Sequence, residues 1–237
     1  MTAPFVFLPG WCVGRSPVSA AVEALSGSII DLPGYGSETL ISDFDAAVDT
    51  YAARLQPGST LGGWSLGAQM ALAIAARHPD KVGKLLLVAG TASFVQRDGW
   101  PHAMPQPMLA EFAAGIAADV EAMLQRFVGG FNRGDARAKA VTSELLALAD
   151  PRPAGEVLAT GLNWLRDVDL RPDAAKVACP TLLIHGVADP LMPQGAAEAL
   201  AALIPGAQLA LFDDCAHAPF ISRPDDFVAR ARRFLND

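Results

Sequence analysis

Residues 63–67 read Gly-Trp-Ser-Leu-Gly and join a short apolar run to an Ala-rich stretch with helical spacing. A G-x-S-x-G pattern at a strand-to-helix turn is typical of a serine that a strained turn holds ready for nucleophilic attack. The flanking glycines allow neighbouring backbone to approach without a Cβ clash. The pattern therefore predicts that Ser65 acts as a nucleophile.

A serine hydroxyl needs a base within hydrogen-bond reach, and the chain has four histidines. His217 follows the last predicted strand, where a loop at the carboxyl edge of a sheet can reach Ser65, and it completes the chain order Ser, acid, His. His78 follows the helix after the nucleophile, His102 lies among prolines, and His185 ends a strand. His217 is therefore the predicted base.

The base in turn needs a carboxylate that approaches the imidazole from the side opposite to the serine. Asp189 follows the penultimate predicted strand by a short loop and is the predicted acid. The alternatives are Asp213 and Asp214, which lie close to His217 in sequence and are expected to be solvated turn residues.

The negative oxygen that forms on an attacked carbonyl needs preorganised N–H donors. One predicted donor is the backbone N–H of Leu66, directly after the nucleophile. The other is the backbone N–H of Trp11, in the loop after the first predicted strand. Together, these five residues predict covalent serine catalysis on an ester-like bond.

Strand-like and helical runs alternate along the chain, which predicts an α/β fold with a parallel sheet covered by helices on both faces. The predicted strands, expected to be buried on both faces, are 5–8, 28–32, 60–64, 85–89, 181–185 and 208–212. The predicted helices of this core are 18–25, 44–55, 66–77, 195–203 and 227–235. The turn at 31–36, Asp-Leu-Pro-Gly-Tyr-Gly, is interpreted as structural because it lacks a phosphate-loop pattern.

Residues 91–178 contain no convincing strand and are predicted to form a helical cap inserted into a core made of residues 1–90 and 179–237. The helical stretches of this cap are 108–117, 120–128, 137–148 and 154–165. Its loops and helix starts are marked by Pro101, Pro105, Pro107, Pro151 and Pro153.

Composition excludes several classes of protein. Of the 237 residues, 51% are apolar and 18% are charged, so the chain is expected to fold throughout as one domain with an insertion. The net charge of −7 argues against general nucleic-acid binding, which needs a broad basic face. The three cysteines lack metal-ligand spacing and are expected to be small buried thiols, so neither a metal site nor a cofactor is predicted.

The N-terminus lacks a basic segment and turns after a few apolar residues, so it is predicted to be a strand and not a signal peptide. The longest helical apolar stretch, 70–76, is far shorter than the ~20 residues needed to cross a bilayer. A cytoplasmic protein that does not act at a membrane is therefore expected.

With these pieces assembled, the chain resembles the pimeloyl-acyl carrier protein methyl ester esterases of biotin synthesis, within the α/β-hydrolase superfamily. The matching stretches are residues 10–11, 31–36, 63–67, 97–101, 168–171 and 216–224. The resemblance implies an α/β-hydrolase fold and a carboxylesterase that removes methanol from the distal ester of a pimeloyl chain held by acyl carrier protein. Other functions considered are a broad short-chain carboxylesterase and a non-catalytic binding protein that kept the fold.

Carried over by position, the resemblance implies a triad of Ser65, Asp189 and His217, with Trp11 and Leu66 contacting the reacting ester. Phe127 and Phe131 match cap residues that line the acyl channel of the family; core packing of the cap is the competing interpretation. The family usually has a histidine before the Gly-Trp pair, where this chain has Pro9, and usually begins with an extra antiparallel hairpin.

An acidic carrier protein would need a basic surface. Residues 91–178 hold nine Lys/Arg and eleven Asp/Glu, yet residues 122–143 carry four cations against Asp135 alone. This cluster is a candidate docking surface, with a solvated helix face as the alternative. Its members are Arg126, Arg133, Arg137 and Lys139.

Overall fold

The computed structural model describes residues 3–149 and 153–237, so Met1 and Pro151 lie outside the described residues. The described residues form six strands and eleven helices. The strands are β1 (Phe5–Leu8), β2 (Ser28–Ile29), β3 (Ser59–Trp64), β4 (Val82–Val88), β5 (Thr181–Gly186) and β6 (Gln208–Phe212). The helices are α1 (Ser16–Ala24), α2 (Phe44–Arg54), α3 (Leu66–Arg77), α4 (Gln106–Ala118), α5 (Val120–Phe131), α6 (Ala138–Leu148), α7 (Gly155–Asp167), α8 (Arg171–Ala174), α9 (Gln194–Leu203), α10 (Pro219–Ser222) and α11 (Pro224–Asn236).

The six strands form one parallel sheet in the order β2-β1-β3-β4-β5-β6, which confirms the predicted architecture. The carboxyl ends of neighbouring strands are in register: Leu8 pairs with Gly63, and Trp64 pairs with Val88. Because all strands point the same way, the loops that follow them gather at a single edge of the sheet. The residues predicted to carry chemistry follow β1, β3, β5 and β6 at that edge.

The prediction that every strand is buried on both faces is wrong for β2 and β6. These two strands lie at the ends of the sheet and are partly exposed, whereas every residue of β1, β3 and β5 is buried. Strand β2 is also shorter than predicted. The N–H of Ile30 still donates a 3.1 Å hydrogen bond to the carbonyl oxygen of Phe7 in β1, but the carbonyl oxygen of Asp31 accepts a 2.6 Å hydrogen bond from the hydroxyl of Tyr51.

Helix α3 explains the Ala-rich composition that follows the nucleophile. Residues 66–76 of this helix are all buried, so small side chains are needed on most of its surface. The helix contacts β1, β3 and β4. The other core helices begin and end within a few residues of their predicted bounds, but the short α8 and α10 were not predicted because four residues are too few to show a helical period.

Between β4 and β5 the described residues form helices α4 to α8 and no strand. Asp119 caps the start of helix α5, and its carboxylate accepts a 3.0 Å hydrogen bond from the N–H of Ala122. Its buried residues, Leu124, Val128 and Phe131, recur at helical spacing and face the rest of the molecule. The exact division of the chain into a core and a cap at residues 91 and 178 stays a prediction.

Two further features are the state of the cysteines and the length of the apolar helices. Cys12 and Cys215 are buried and Cys179 is half-buried, and none of the three, all within the described residues, forms a disulfide. Across 3–149 and 153–237, no helix has the combined length and apolar character that a membrane crossing requires.

Candidate active site

Ser65 lies in the sharp turn between β3 and α3, with φ 56° and ψ −117°. This conformation is rare for a residue with a side chain and marks a strained turn. The Ser65 N–H donates a 2.9 Å hydrogen bond to the carbonyl oxygen of Val88, which ties the turn to the end of β4.

The two flanking glycines are required by close backbone contacts. A Cβ on Gly63 would overlap the backbone of Gly67, and a Cβ on Gly67 would overlap the carbonyl oxygens of Leu8 and Pro9. The start of α3 is therefore pressed against the end of β1 and the loop that follows it.

His217 and Asp189 form a short hydrogen bond of 2.7 Å between Nδ1 and Oδ2, and both side chains are buried. Because a carboxylate can only accept, Nδ1 is the donor, and Nε2 of the neutral ring is left as an acceptor. The other carboxylate oxygen of Asp189 accepts hydrogen bonds from the N–H groups of Leu191 and Met192, at 2.9 and 3.0 Å. The acid is thus held in one orientation by its own loop.

Trp64 joins the turn that carries Ser65 to the backbone of His217. Its indole Nε1 donates a 2.8 Å hydrogen bond to the carbonyl oxygen of His217, and the two rings lie 5.6 Å apart. Ser65 is the next residue in the chain, so the nucleophile and the base are held at the same edge of the sheet. The structure thus brings the three predicted triad residues to this edge, while Asp213 and Asp214 are exposed in the turn after β6.

One predicted oxyanion donor directly follows Ser65, and the other lies in the turn after β1. Leu66 is the first residue of α3, so its N–H has no acceptor within the helix. Trp11 lies in the turn after β1, and its indole Nε1 donates to the carbonyl oxygen of Leu158 in α7 at 3.1 Å. A Cβ on Gly161 would overlap this indole, so α7 fits closely over Trp11.

Tyr35 is a contributor to this site that the sequence interpretation missed. Its hydroxyl accepts a 2.9 Å hydrogen bond from the N–H of Cys12, the residue after Trp11, which has a φ of 70°. The sequence analysis interprets the turn at 31–36 as structural because it lacks a phosphate-loop pattern, and nothing in its sequence shows which loop it contacts. The structure joins its tyrosine to the loop after β1.

Aromatic side chains of α4 and α5 pack near His217 and Trp11. The ring of Phe131 is 5.0 Å from that of His217, and Phe127 lies 5.1 Å from Phe131 and 5.3 Å from Trp11. Phe131 is buried and Phe127 is half-buried. Phe112 of α4, which was not singled out in the sequence, packs on Phe127 at 4.9 Å.

An apolar groove of about 300 Å³ opens beside these rings. Its floor includes Pro190 and Leu191, the two residues after the acid, and Met108 at its rim is 56% exposed. The remaining lining residues come from the 104–133 segment: Met104, Phe112, Met123, Arg126, Phe127, Gly130, Phe131 and Arg133. Such a groove can hold a flexible apolar chain.

The four predicted docking cations differ in their surroundings. Arg126, Arg133 and Lys139 are exposed. Arg137 is also exposed, but its Nη1 donates to the carbonyl oxygens of Ile221 and Ser222 at 3.1 and 2.9 Å. Asp135, the one acidic residue of the 122–143 segment, is buried, and its carboxylate binds backbone N–H groups.

His185 is buried in β5 next to the acid. Its Nε2 lies 2.6 Å from the carbonyl oxygen of Met192 and 3.8 Å from Oδ2 of Asp189. A carbonyl oxygen can only accept, so Nε2 carries a proton. Burial lowers the pKa of His185 below its usual value, although the negative charge of Asp189 opposes this effect. His185 therefore supports the acid loop as a neutral ring.

The chain is similar to known proteins in both sequence and fold. Residues 5–231 match the model of the alpha/beta hydrolase family. The chain is 39% identical to the pimeloyl-[acyl-carrier protein] methyl ester esterase of Aromatoleum aromaticum, over 93% of each chain. It is 33% identical to the biotin biosynthesis bifunctional protein of Teredinibacter turnerae, over 97% of this chain and 44% of that protein.

Among solved structures, an esterase from Exiguobacterium antarcticum superposes with a TM-score of 0.90. The match covers 99% of this chain and 92% of the esterase, at 24% sequence identity. At that identity the likeness concerns the fold alone.

Proposed function

The chain belongs to the α/β-hydrolase family and, within it, to the pimeloyl-[acyl-carrier protein] methyl ester esterases, and from this we propose that Ser65, His217 and Asp189 carry its reaction. The protein is a serine carboxylesterase that hydrolyses the methyl ester of pimeloyl-acyl carrier protein in biotin synthesis. The hydrogen bond between His217 Nδ1 and Asp189 Oδ2, beside a serine in a strained turn, is the observation that carries the assignment of roles.

In the acylation step, Nε2 of His217 takes the proton of the Ser65 hydroxyl as its oxygen attacks the ester carbonyl carbon. The backbone N–H groups of Leu66 and Trp11 stabilise the negative oxygen that forms. The carbon–oxygen bond to the methoxy group then breaks, and protonated His217 gives its proton to the methoxy oxygen, which leaves as methanol. A pimeloyl ester of Ser65 remains.

In the deacylation step, water replaces the serine as nucleophile. His217 takes a proton from the water, the hydroxide attacks the same carbonyl carbon, and the bond to Ser65 breaks as the serine oxygen regains a proton. The net reaction consumes one water and yields methanol and the free carboxylate. Asp189 stabilises the imidazolium in both halves and holds the ring in the required tautomer.

The apolar groove is proposed to hold the methylene chain of the substrate. Phe127 and Phe131 line it, and Phe131 also contacts the ring of His217, so a chain lying there would end beside the triad. A chain of methylenes gains about 0.8 kcal/mol for each group removed from water. The same groove therefore provides affinity for an acyl chain and places its end for attack.

The carrier protein is proposed to dock at the exposed cations near the groove. Arg126 and Arg133 line the groove itself, and Lys139 is exposed on α6. A positive surface beside the entrance would attract an acidic carrier and orient the tethered chain toward the site. We expect the protein to act in the cytoplasm, where it would meet this partner.

Incubating the purified protein with pimeloyl-acyl carrier protein methyl ester tests the function directly. We expect methanol and the free acid in equal amounts, and no product from Ser65→Ala. Turnover of p-nitrophenyl acetate with no action on the carrier-linked ester would favour a broad short-chain carboxylesterase. Inactivity on both esters would favour a non-catalytic binding protein.

A further inference from the structure

The loop between α5 and α6 contacts the segment that carries the base, and we propose that Asp135 in this loop is a positioning residue for His217. The proposal rests on the role of His217 as the base. Asp135 belongs to the inserted segment, whereas His217 follows the last strand of the sheet. The contact thus joins two parts of the chain that are far apart in sequence.

Both carboxylate oxygens of Asp135 bind backbone donors. Oδ2 accepts a 2.9 Å hydrogen bond from the N–H of Ala216, the residue directly before His217. Oδ1 accepts a 2.7 Å hydrogen bond from the N–H of Arg137. Asp135 is only 6% exposed, and hydrogen bonds to a carboxylate in such surroundings are stronger than those between neutral groups.

Further bonds hold the same loop to both sides of the base. The N–H of Ala136 donates to the carbonyl oxygen of Asp214 at 2.9 Å, before His217 in the chain. The guanidinium of Arg137 donates to the carbonyl oxygens of Ile221 and Ser222, after it. The 214–222 segment is therefore fixed by the 135–137 loop at several points.

The backbone around His217 is consequently held from two directions. Asp135 fixes the N–H of the preceding residue, and Trp64 fixes the carbonyl oxygen of His217 itself. The ring can keep its bond to Asp189 and its approach to Ser65 only while this backbone stays in place. A displacement of about 1 Å at a reacting group can reduce the rate about 100-fold.

Asp135→Asn is the sharpest test, because the two N–H groups bind different carboxylate oxygens, and in the amide one of these two oxygens is replaced by an NH2 group that cannot accept. We expect kcat on a small soluble ester to fall about 10- to 100-fold, with KM changed far less. A base held less well against Asp189 forms a less stable imidazolium, so the acid limb of the kcat profile should move to lower pH.

Asp173→Asn is the matched control. Asp173 is a similarly buried carboxylate, and it binds Arg77 and Lys176 through α8, outside the site. We expect this variant to lose stability while kcat and its pH profile stay at the parent values. If Asp135→Asn does not fold, Asp135→Ser, which keeps one small acceptor, is measured in its place.

The outcomes separate the two proposals. Equal effects of the Asp135 and Asp173 substitutions on kcat, or a parental kcat and pH profile for Asp135→Asn, would overturn the positioning role. His217→Ala is measured beside them. If that variant is inactive while Asp135→Asn is normal, only the positioning proposal fails; if His217→Ala stays active, the assignment of the base fails.

Discussion

The indole Nε1 of Trp64 donates a 2.8 Å hydrogen bond to the carbonyl oxygen of His217, so the last residue of β3 holds the backbone of the base. The same indole packs over Gly10, where a Cβ would come within 2.6 Å of its ring. The nucleophile turn, the base and the loop after β1 thus meet at one side chain. Their relative positions depend on the packing of Trp64.

Ser65→Ala and His217→Ala should each lower ester turnover by about 10⁴- to 10⁶-fold without unfolding the protein. The two residues act as one unit, so combining both changes should cost little more than either alone. Steady-state rates together with circular dichroism check this prediction. A Ser65→Ala protein that keeps more than about a tenth of the parent activity would remove Ser65 from its role.

Asp189→Asn should be severely impaired, because the amide can hold His217 in the wrong tautomer and cannot stabilise an imidazolium. Asp214→Asn is the control, since Asp214 is exposed in the turn after β6. The comparison uses kcat on a small ester. If Asp214→Asn lost most of its kcat while Asp189→Asn stayed nearly normal, the assignment of Asp189 as the acid would be wrong.

Tyr35→Phe should lower kcat because it removes the acceptor for the Cys12 N–H and loosens the loop that carries Trp11. Loss of an entire oxyanion donor costs about 10²- to 10³-fold, so we expect a smaller effect, about 10-fold. Tyr51→Phe removes a comparable buried hydroxyl bond, to the carbonyl oxygen of Asp31, and should spare kcat. Equal kcat values for the two variants would argue against a role for Tyr35 at the site.

Arg126→Glu combined with Arg133→Glu should weaken kcat/KM for the carrier-linked ester about 10-fold or more and spare a small soluble ester. Arg137 is left unchanged because its guanidinium binds the carbonyl oxygens of Ile221 and Ser222. Raising the salt concentration should lower kcat/KM of the parent protein for the carrier-linked ester in the same way, since exposed charges are screened over ~10 Å at 0.1 M.

The control for this docking test is Arg232→Glu with Arg233→Glu, an equal charge reversal on exposed residues of α11. It should leave both substrates unaffected. Equal losses on both esters for the Arg126 and Arg133 variant would indicate a damaged groove. No loss on either ester would show that these cations form only a solvated helix face.

His185 should make stability depend on pH. Burial lowers its pKa, so the unfolded chain takes up a proton near its usual value of about 6.5 before the folded protein does. Its contribution to stability is therefore fully present above pH ~6.5 and is lost as the pH falls below that value, by at most ~1.4 kcal/mol per pH unit. In His185→Asn, the free energy of unfolding should fall less steeply between pH 6.5 and 5. Parallel slopes in urea titrations of parent and variant would contradict this.

The order of strands and helices could be predicted because its signals are local. The alternation of apolar runs predicts β1, β3 and β5, and the glycines beside Ser65 predict the turn that the structure shows there. The catalytic roles of Ser65, Asp189 and His217 stay a prediction. The burial predicted for two strands was wrong for a tertiary reason. Neither β2 nor β6 shows in its sequence that it has only one neighbour in the sheet.

The contacts of Tyr35 and Asp135 could not be predicted, because each joins residues far apart in the chain. The Asp-Leu-Pro-Gly-Tyr-Gly turn shows that the backbone reverses, but not that its hydroxyl reaches the loop after β1. A lone aspartate among cations indicates a surface charge by composition, whereas this one binds backbone inside the molecule. Such bonds depend on how the helices, strands and loops pack together, and the spacing of apolar residues in the sequence does not show this.

Strands β4 and β5 are direct neighbours, with Leu85 opposite Thr181, although the whole inserted segment lies between them in the chain. Lengthening the segment between two paired strands costs little free energy, since each doubling of a flexible loop adds only about 0.6 kcal/mol of closure entropy. The length of this segment can therefore change while the strands keep their registers. A chimaera that carried the corresponding segment of another protein would still need a buried acceptor for the N–H of Ala216. Asp135 supplies this acceptor here, so only a segment that provides an equivalent group could replace this one.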